Sequence, residues 1–207
     1  MSTRWTPLAG VAAVVCMVVA FAVAGSSPDT QGSDATITAY YTSHSHQVQN
    51  IVGLLVFAVG ILFLIVFYGV LRERLAGAMG RVAFGAGIAS AVLFFAAIVF
   101  FTGPALTAND TSRFHLDPNT YRLLSDMGYE FWVGAVMTGA VVVFATSASA
   151  VGALPRWFTR AGVVVGVVLL FAVFFLPAFL YWAWILVASI LLVREPRVSA
   201  AAAPQPA

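Results

Sequence analysis

"AGVVVGVVLLFAVFFLPAFLYWAWILVASILLV", residues 161–193, runs for 33 positions without Asp, Glu, Lys or Arg. A helix needs about 20 apolar residues to cross bilayer hydrocarbon. The run is therefore too long for one ordinary span and short for two. Pro177 lies near its middle, where it ends one helix and starts the next if the run is a hairpin of about 161–176 and 178–193. Four other uncharged runs, 8–24, 48–71, 82–101 and 131–154, each have the length of a single span. The expected fold is all-α, a polytopic transmembrane bundle forming one domain. It has six spans, or five if 161–193 is one kinked helix, and the tail 199–207 reads as disordered.

Composition leads to the same class. Of the 207 residues 61% are hydrophobic and 9% charged, with mean hydropathy +0.97. A soluble domain carries about 25% charged residues, so lipid must replace water around most of this chain. Its ten basic residues are all arginine, and the net charge is only +2. With no basic stripe, no nucleic-acid partner is expected. Cys16 is the sole cysteine, which rules out an intramolecular disulfide.

Arginines set the expected orientation, since cytoplasmic loops are enriched in positive charge. With a cytoplasmic N-terminus and six spans, Arg4, Arg72, Arg74, Arg81, Arg156, Arg160, Arg194 and Arg197 lie inside, and Arg113 and Arg122 outside. Five spans would move Arg194 and Arg197 outside and weaken the bias, so the count favours six, with both termini cytoplasmic. Asp29, Asp34, Asp110, Asp117, Asp126 and Glu130 then fall outside, and Glu73 and Glu195 inside. A rival reading of the N-terminus is a cleavable signal, with Arg4 ahead of an apolar stretch and Ala22-Val23-Ala24 at its end. The apolar stretch is long for a signal core, and residue 25 is outside on either reading.

The second span is preceded by "AYYTSHSHQVQN", residues 39–50. Read as helix from about Thr36 and capped by Ser33 or Asp34, the stretch puts Ile37, Tyr41, His44, Val48, Ile51 and Leu55 on one stripe facing the bundle. The second helix then stands above the membrane before entering it. His46 points away, about 200° from His44, so the pair does not share an ion. In the second outer loop, Asp117 caps a short helix with Pro118 at its first position and Tyr121, Leu124 and Met127 on its apolar side. Tyr41, His44, His115, Asp126 and Glu130 are the candidate ligand-binding residues of an outer pocket, with His44 expected near His115 or Glu130. A metal site is not expected, nor any cofactor. The sequon Asn109-Asp110-Thr111 matters only in a eukaryotic secretory route, and alanine- and valine-rich, arginine-only usage suggests a bacterium instead.

Small residues allow close helix approach in lipid. Gly162 and Gly166 form a GxxxG, Ala83, Gly87 and Ala91 repeat every four residues, and Gly134, Thr138, Ala145 and Ser149 share a face. Packing within one bundle is the favoured reading, with a homo-oligomer seam as the alternative. Thr138, Thr146, Ser147 and Ser149 either line a polar channel or bond to their own helix.

"RWTPLAG", "ITAYYTSHSHQV", "FYGVLRERL", "LPRWFTRAG" and "WILVASILLVRE" occur in this order along the chain. In these motifs it resembles a family of roughly six-pass integral membrane proteins from actinobacteria, uncharacterised and defined by a domain of unknown function. The resemblance covers nearly the whole chain and implies six spans, a helix around Tyr41 and His44, and residence in the bacterial cytoplasmic (inner) membrane. It implies no catalytic residue. The chain departs from the group at "SHSHQ", where basic residues are expected after the histidine.

Three functions follow as expectations. The first is a non-enzymatic binding or accessory protein for a small apolar or lipid-like ligand or a membrane partner. The second is an uncoupled transporter of an apolar molecule, and the third an enzyme using the outer histidines. The spans carry no ionisable Asp, Glu, Lys or Arg, which weighs against ion-coupled transport. GxSxG, HExxH and phosphate-loop motifs are absent from the sequence, which weighs against catalysis.

Overall fold

The computed structural model describes residues 6–75, 77–111, 115–149 and 154–194. The described residues form seven α-helices and two 3-10 turns: α1 (Ala9–Ala24), α2 (Asp34–Thr42), α3 (His44–Arg74), α4 (Gly77–Asp110), α5 (Pro118–Ser149), α6 (Arg156–Leu169) and α7 (Leu176–Arg194). Five have the length and apolar content to cross a membrane: α1 with the turn before it, α3, α4, α5 and α7. The tail 199–207 lies outside the described residues, as do Arg4, Arg113, Glu195 and Arg197.

Contacts between glycines and their neighbours fix the directions of the helices. Gly53 faces Ala24 while Gly60 faces Ala13, so α1 and α3 are antiparallel. Gly80 meets Leu75 and Gly87 meets Tyr68, which sets α4 antiparallel to α3. Gly128 abuts Phe101 and Gly134 abuts Leu93, reversing α5 against α4. Gly162 and Gly166 seat on Ser147 and Phe144 of α5, so this GxxxG packs inside the bundle. Ala83, Gly87 and Ala91 are likewise buried. Of the four candidate channel hydroxyls, Thr138 donates to the Gly134 and Ala135 carbonyls and Ser149 to that of Ala145, bonds to their own helix, whereas those of Thr146 and Ser147 are buried without a hydrogen-bond partner among the described residues.

The run 161–193 is not one kinked helix. Phe158 of α6 stacks on Trp184 of α7 with ring centroids 5.6 Å apart, on opposite sides of the 170–175 turn, so the two helices form an antiparallel hairpin. The break falls earlier than expected: α6 stops at Leu169, and Phe175 takes a left-handed conformation at φ 62°. Pro177 sits in the first turn of α7 instead of ending a helix, because a proline there forfeits no intrahelical bond. At 14 residues α6 spans about 21 Å, less than full hydrocarbon thickness. The segment 118–129 also differs from expectation. It is no separate short helix but the first three turns of α5, with nothing to interrupt it before Phe131.

Up-and-down order brings the start of α1 and the ends of α3 and α7 to one end of the bundle. Arg72, Arg74, Arg81, Arg156, Arg160 and Arg194 gather there. Asp29, Asp34, Asp110, Asp117, Asp126 and Glu130 gather at the other. The lateral surface is apolar, with Leu62, Val92, Val164 and Phe174 each at least 60% exposed. In water such a surface would drive aggregation; in a bilayer it is the solvent-facing side.

At the centre, the phenols of Tyr68 and Tyr181 lie 2.6 Å apart, both wholly buried, and join α3 to α7. Each ring lies flat on a glycine, Tyr68 on Gly87 and Tyr181 on Gly139. Ser90 nearby donates to the Ala135 carbonyl at 2.8 Å and ties α4 to α5. Toward the acidic end, Phe21, Phe57, Phe94, Trp132, Phe175 and Trp182 form one aromatic cluster with neighbouring centroids 4.9–6.0 Å apart.

Candidate functional site

The acidic end carries a folded cap. Ser33 accepts from the Thr36 amide and starts α2, which lies over the ends of α4 and α5. Ile37, Tyr41, Ala105 and Tyr121 form a small core beneath it, separate from that of the bundle. Arg122 pins the preceding loop: its guanidinium donates to the Thr30 carbonyl at 2.8 Å, the Gly32 carbonyl at 2.9 Å and Asp34 Oδ1 at 2.8 Å. Tyr121 adds a bond from its hydroxyl to the Pro28 carbonyl at 2.6 Å. Burial, and then the adjacent Tyr121 and Tyr40, push the Tyr41 phenol far above the ordinary tyrosine range, so it is neutral. Asp117 caps α5 as expected, accepting from the amides of Asn119 and Thr120. These bonds hold its carboxyl below the ordinary value.

The helical reading around Tyr41 holds, but the stripe ends there. Ser43 is extended, at ψ 116°, and separates α2 from α3. Past this break the buried face of α3 is Gln47, Asn50, Gly53, Phe57 and Gly60. Val48, Val52, Leu55, Val59 and Leu62 face outward, and His44 with them. Expecting His44 to face the interior assumed that apolar periodicity marks the bundle side. In lipid the relation is reversed: apolar residues suit the hydrocarbon, and polar or small ones pack inward. His46 stacks on Tyr40 with centroids 4.2 Å apart, a local contact held by Asn50, which bonds both the Tyr40 hydroxyl and the His46 carbonyl.

Two recesses, each of about 350 Å³, divide the expected site residues between them. Among the described residues the first is lined by Thr38, Tyr41, Thr42, Gln47, Ala108, Thr111, His115 and Leu116. The second is lined by Leu93, Asp126, Met127, Glu130 and Phe131, on the flank of α5. Tyr41 and His115 thus share one recess, Asp126 and Glu130 another, and His44 lines neither. The five do not form one cluster, because α2 closes over the α4 end and leaves the α5 carboxylates on the far side.

Thr38, Thr42 and Gln47 were missed from sequence. Their signal was present: two threonines four apart on one helix face, and an amide in the first turn of the next helix. Gln47 is 8% exposed and donates its Nε2 to the Tyr41 carbonyl at 2.7 Å, which covers the helix end left open at Ser43. Among the described residues no three His, Cys, Asp or Glu side chains converge as metal ligands. Comparison with known proteins finds no matching family model, no matching curated protein and no matching solved structure.

Proposed function

We propose that this chain is a non-enzymatic multi-pass protein of a bacterial cytoplasmic membrane that binds a small molecule in the recess between α2 and the α4 end. The observation that carries this reading is the recess itself: a cavity of about 350 Å³ roofed by a cap whose loop is pinned by Arg122 and Tyr121. A volume of this size falls at the small end of ligand pockets, which run about 300–1,000 Å³. Apart from tyrosines and tryptophans, the buried polar side chains of the described residues are Gln47, Asn50, Ser90, Thr102, Thr146 and Ser189, all uncharged, and an aromatic cluster packs the outer half of the bundle. That packing favours binding over the two other readings, transport and catalysis. Membership of the actinobacterial six-pass group belongs to the same proposal and is supported by the ordered motifs.

Native mass spectrometry of gently extracted protein tests the binding reading. A one-to-one small-molecule adduct is expected on the wild type and not on Thr42→Trp, whose indole fills the recess from an exposed helix position. An adduct retained by that variant, or none on either protein, overturns the proposal. The arginine-rich end is assigned to the cytoplasm. In a Cys16→Ala background, an impermeant thiol reagent on intact cells should label Ser26→Cys and spare Gly77→Cys; the converse pattern reverses the orientation.

A further inference from the structure

We propose that the ligand of the α2–α4 recess is a neutral, polyhydroxylated small molecule, a polyol or sugar. This inference rests on the binding function proposed above and names its ligand class. The two α2 threonines in the recess have already spent their protons. Thr38 donates its hydroxyl to the Asp34 carbonyl at 2.8 Å, and Thr42 donates to the Ala39 carbonyl at 3.0 Å. Gln47 directs one amide N–H to the Tyr41 carbonyl, which leaves its second N–H and its side-chain oxygen, and the buried Tyr41 hydroxyl has no hydrogen-bond partner among the described residues. The walls thus offer threonine and amide lone pairs together with an amide N–H and a phenol O–H. A ligand held by them must both donate and accept, as a hydroxyl does.

Charge narrows the class further. The described lining contains no Asp, Glu, Lys or Arg. A cation would lose hydration without meeting a carboxylate, and an anion would meet neither Lys nor Arg, only the His115 ring and neutral donors, so either pays a desolvation cost that the described walls do not repay. Apolar surface from Tyr41, Ala108 and Leu116 offers a place for C–H faces. A molecule with several O–H donors and apolar C–H faces matches both halves of the lining, and about 350 Å³ accommodates one or two sugar rings.

Equilibrium dialysis of the full chain in detergent, with glucose, trehalose, myo-inositol and glycerol as neutral probes and glucose 6-phosphate and glucosamine as charged ones, tests the inference. Saturable binding of a neutral probe is expected, at least about tenfold tighter than either charged probe. Thr42→Val removes one acceptor without changing shape and should weaken that binding about fivefold, the loss of one hydrogen bond. Melting should be unchanged, because the position is exposed. Tighter binding of a charged probe overturns the inference, as does the absence of saturable binding of every neutral probe up to about 10 mM. The same holds if Thr42→Val binds as the wild type does. If these results occur while Thr42→Trp still abolishes the native adduct, the recess remains a binding site and only the ligand class falls.

Discussion

Replacing Tyr181 with phenylalanine removes one oxygen from the centre of the bundle and takes from the Tyr68 hydroxyl its tyrosine partner. The two oxygens lie 2.6 Å apart, and neither residue is exposed. An abandoned buried hydroxyl costs about 1–3 kcal/mol in water-soluble proteins. Between membrane helices a hydrogen bond averages about 0.6 kcal/mol and reaches about 1.7. Complete burial and a short contact place this pair toward the upper part of the membrane range. Tyr181→Phe and Tyr68→Phe should therefore each cost about 1 kcal/mol. The double variant should cost little more than either single, because two rings of unchanged shape then meet with neither phenol left unpaired. Reversible unfolding in mixed dodecyl maltoside and dodecyl sulfate micelles, followed by tryptophan fluorescence, measures all three. A coupling energy of at least about 0.5 kcal/mol is expected for residues in direct contact. Strict additivity of the two single variants would refute the claim that this contact joins α3 to α7.

Gly87→Ala should destabilise by about 1–3 kcal/mol in the same assay, since the new methyl would lie 2.5–2.7 Å from three atoms of the wholly buried Tyr68 ring. Gly69→Ala and Gly85→Ala, where nothing lies within 4 Å, should be neutral or mildly stabilising. Arg122→Met should release the loop before α2, read as faster amide exchange over 28–34, whereas Asp34→Asn should do little because that carboxylate is 71% exposed. Asp117, whose folded carboxyl titrates below its ordinary value of 3.8, contributes to the α5 cap above about pH 4. This contribution is lost as pH falls through the lower folded value. Exchange at the Asn119 and Thr120 amides should therefore rise with acid in the wild type and be pH-independent in Asp117→Asn, after correction for intrinsic exchange.

Uncharged runs and arginine positions made the helices legible, since both follow from the cost of placing charge and bare backbone in hydrocarbon. Capping by Ser33 and Asp117 was legible too, being local chemistry. The inward face of α3 was not. Gln47, Asn50, Gly53, Phe57 and Gly60 recur at helical spacing, yet the larger apolar set Val48, Val52, Leu55, Val59 and Leu62 has the same period, and only the solvent decides which faces in. Separation of His115 from Asp126 and Glu130 was equally hidden, because it depends on how α2 lies over α4, a long-range contact without a local signature.

The brevity of α6 has a consequence for the lipid itself. Its connection to α7 presents Phe171, Val173, Phe174 and Leu176, between 56% and 74% exposed, at the level of Tyr129, whose hydroxyl caps the Val173 carbonyl. Phospholipids beside this corner must shorten their reach or sink their headgroups to follow it, while those beside α4 and α5 need not. The molecule should therefore dimple one leaflet on one side only, and its abundance in thin or strongly curved regions of a bilayer should exceed that in thick ones.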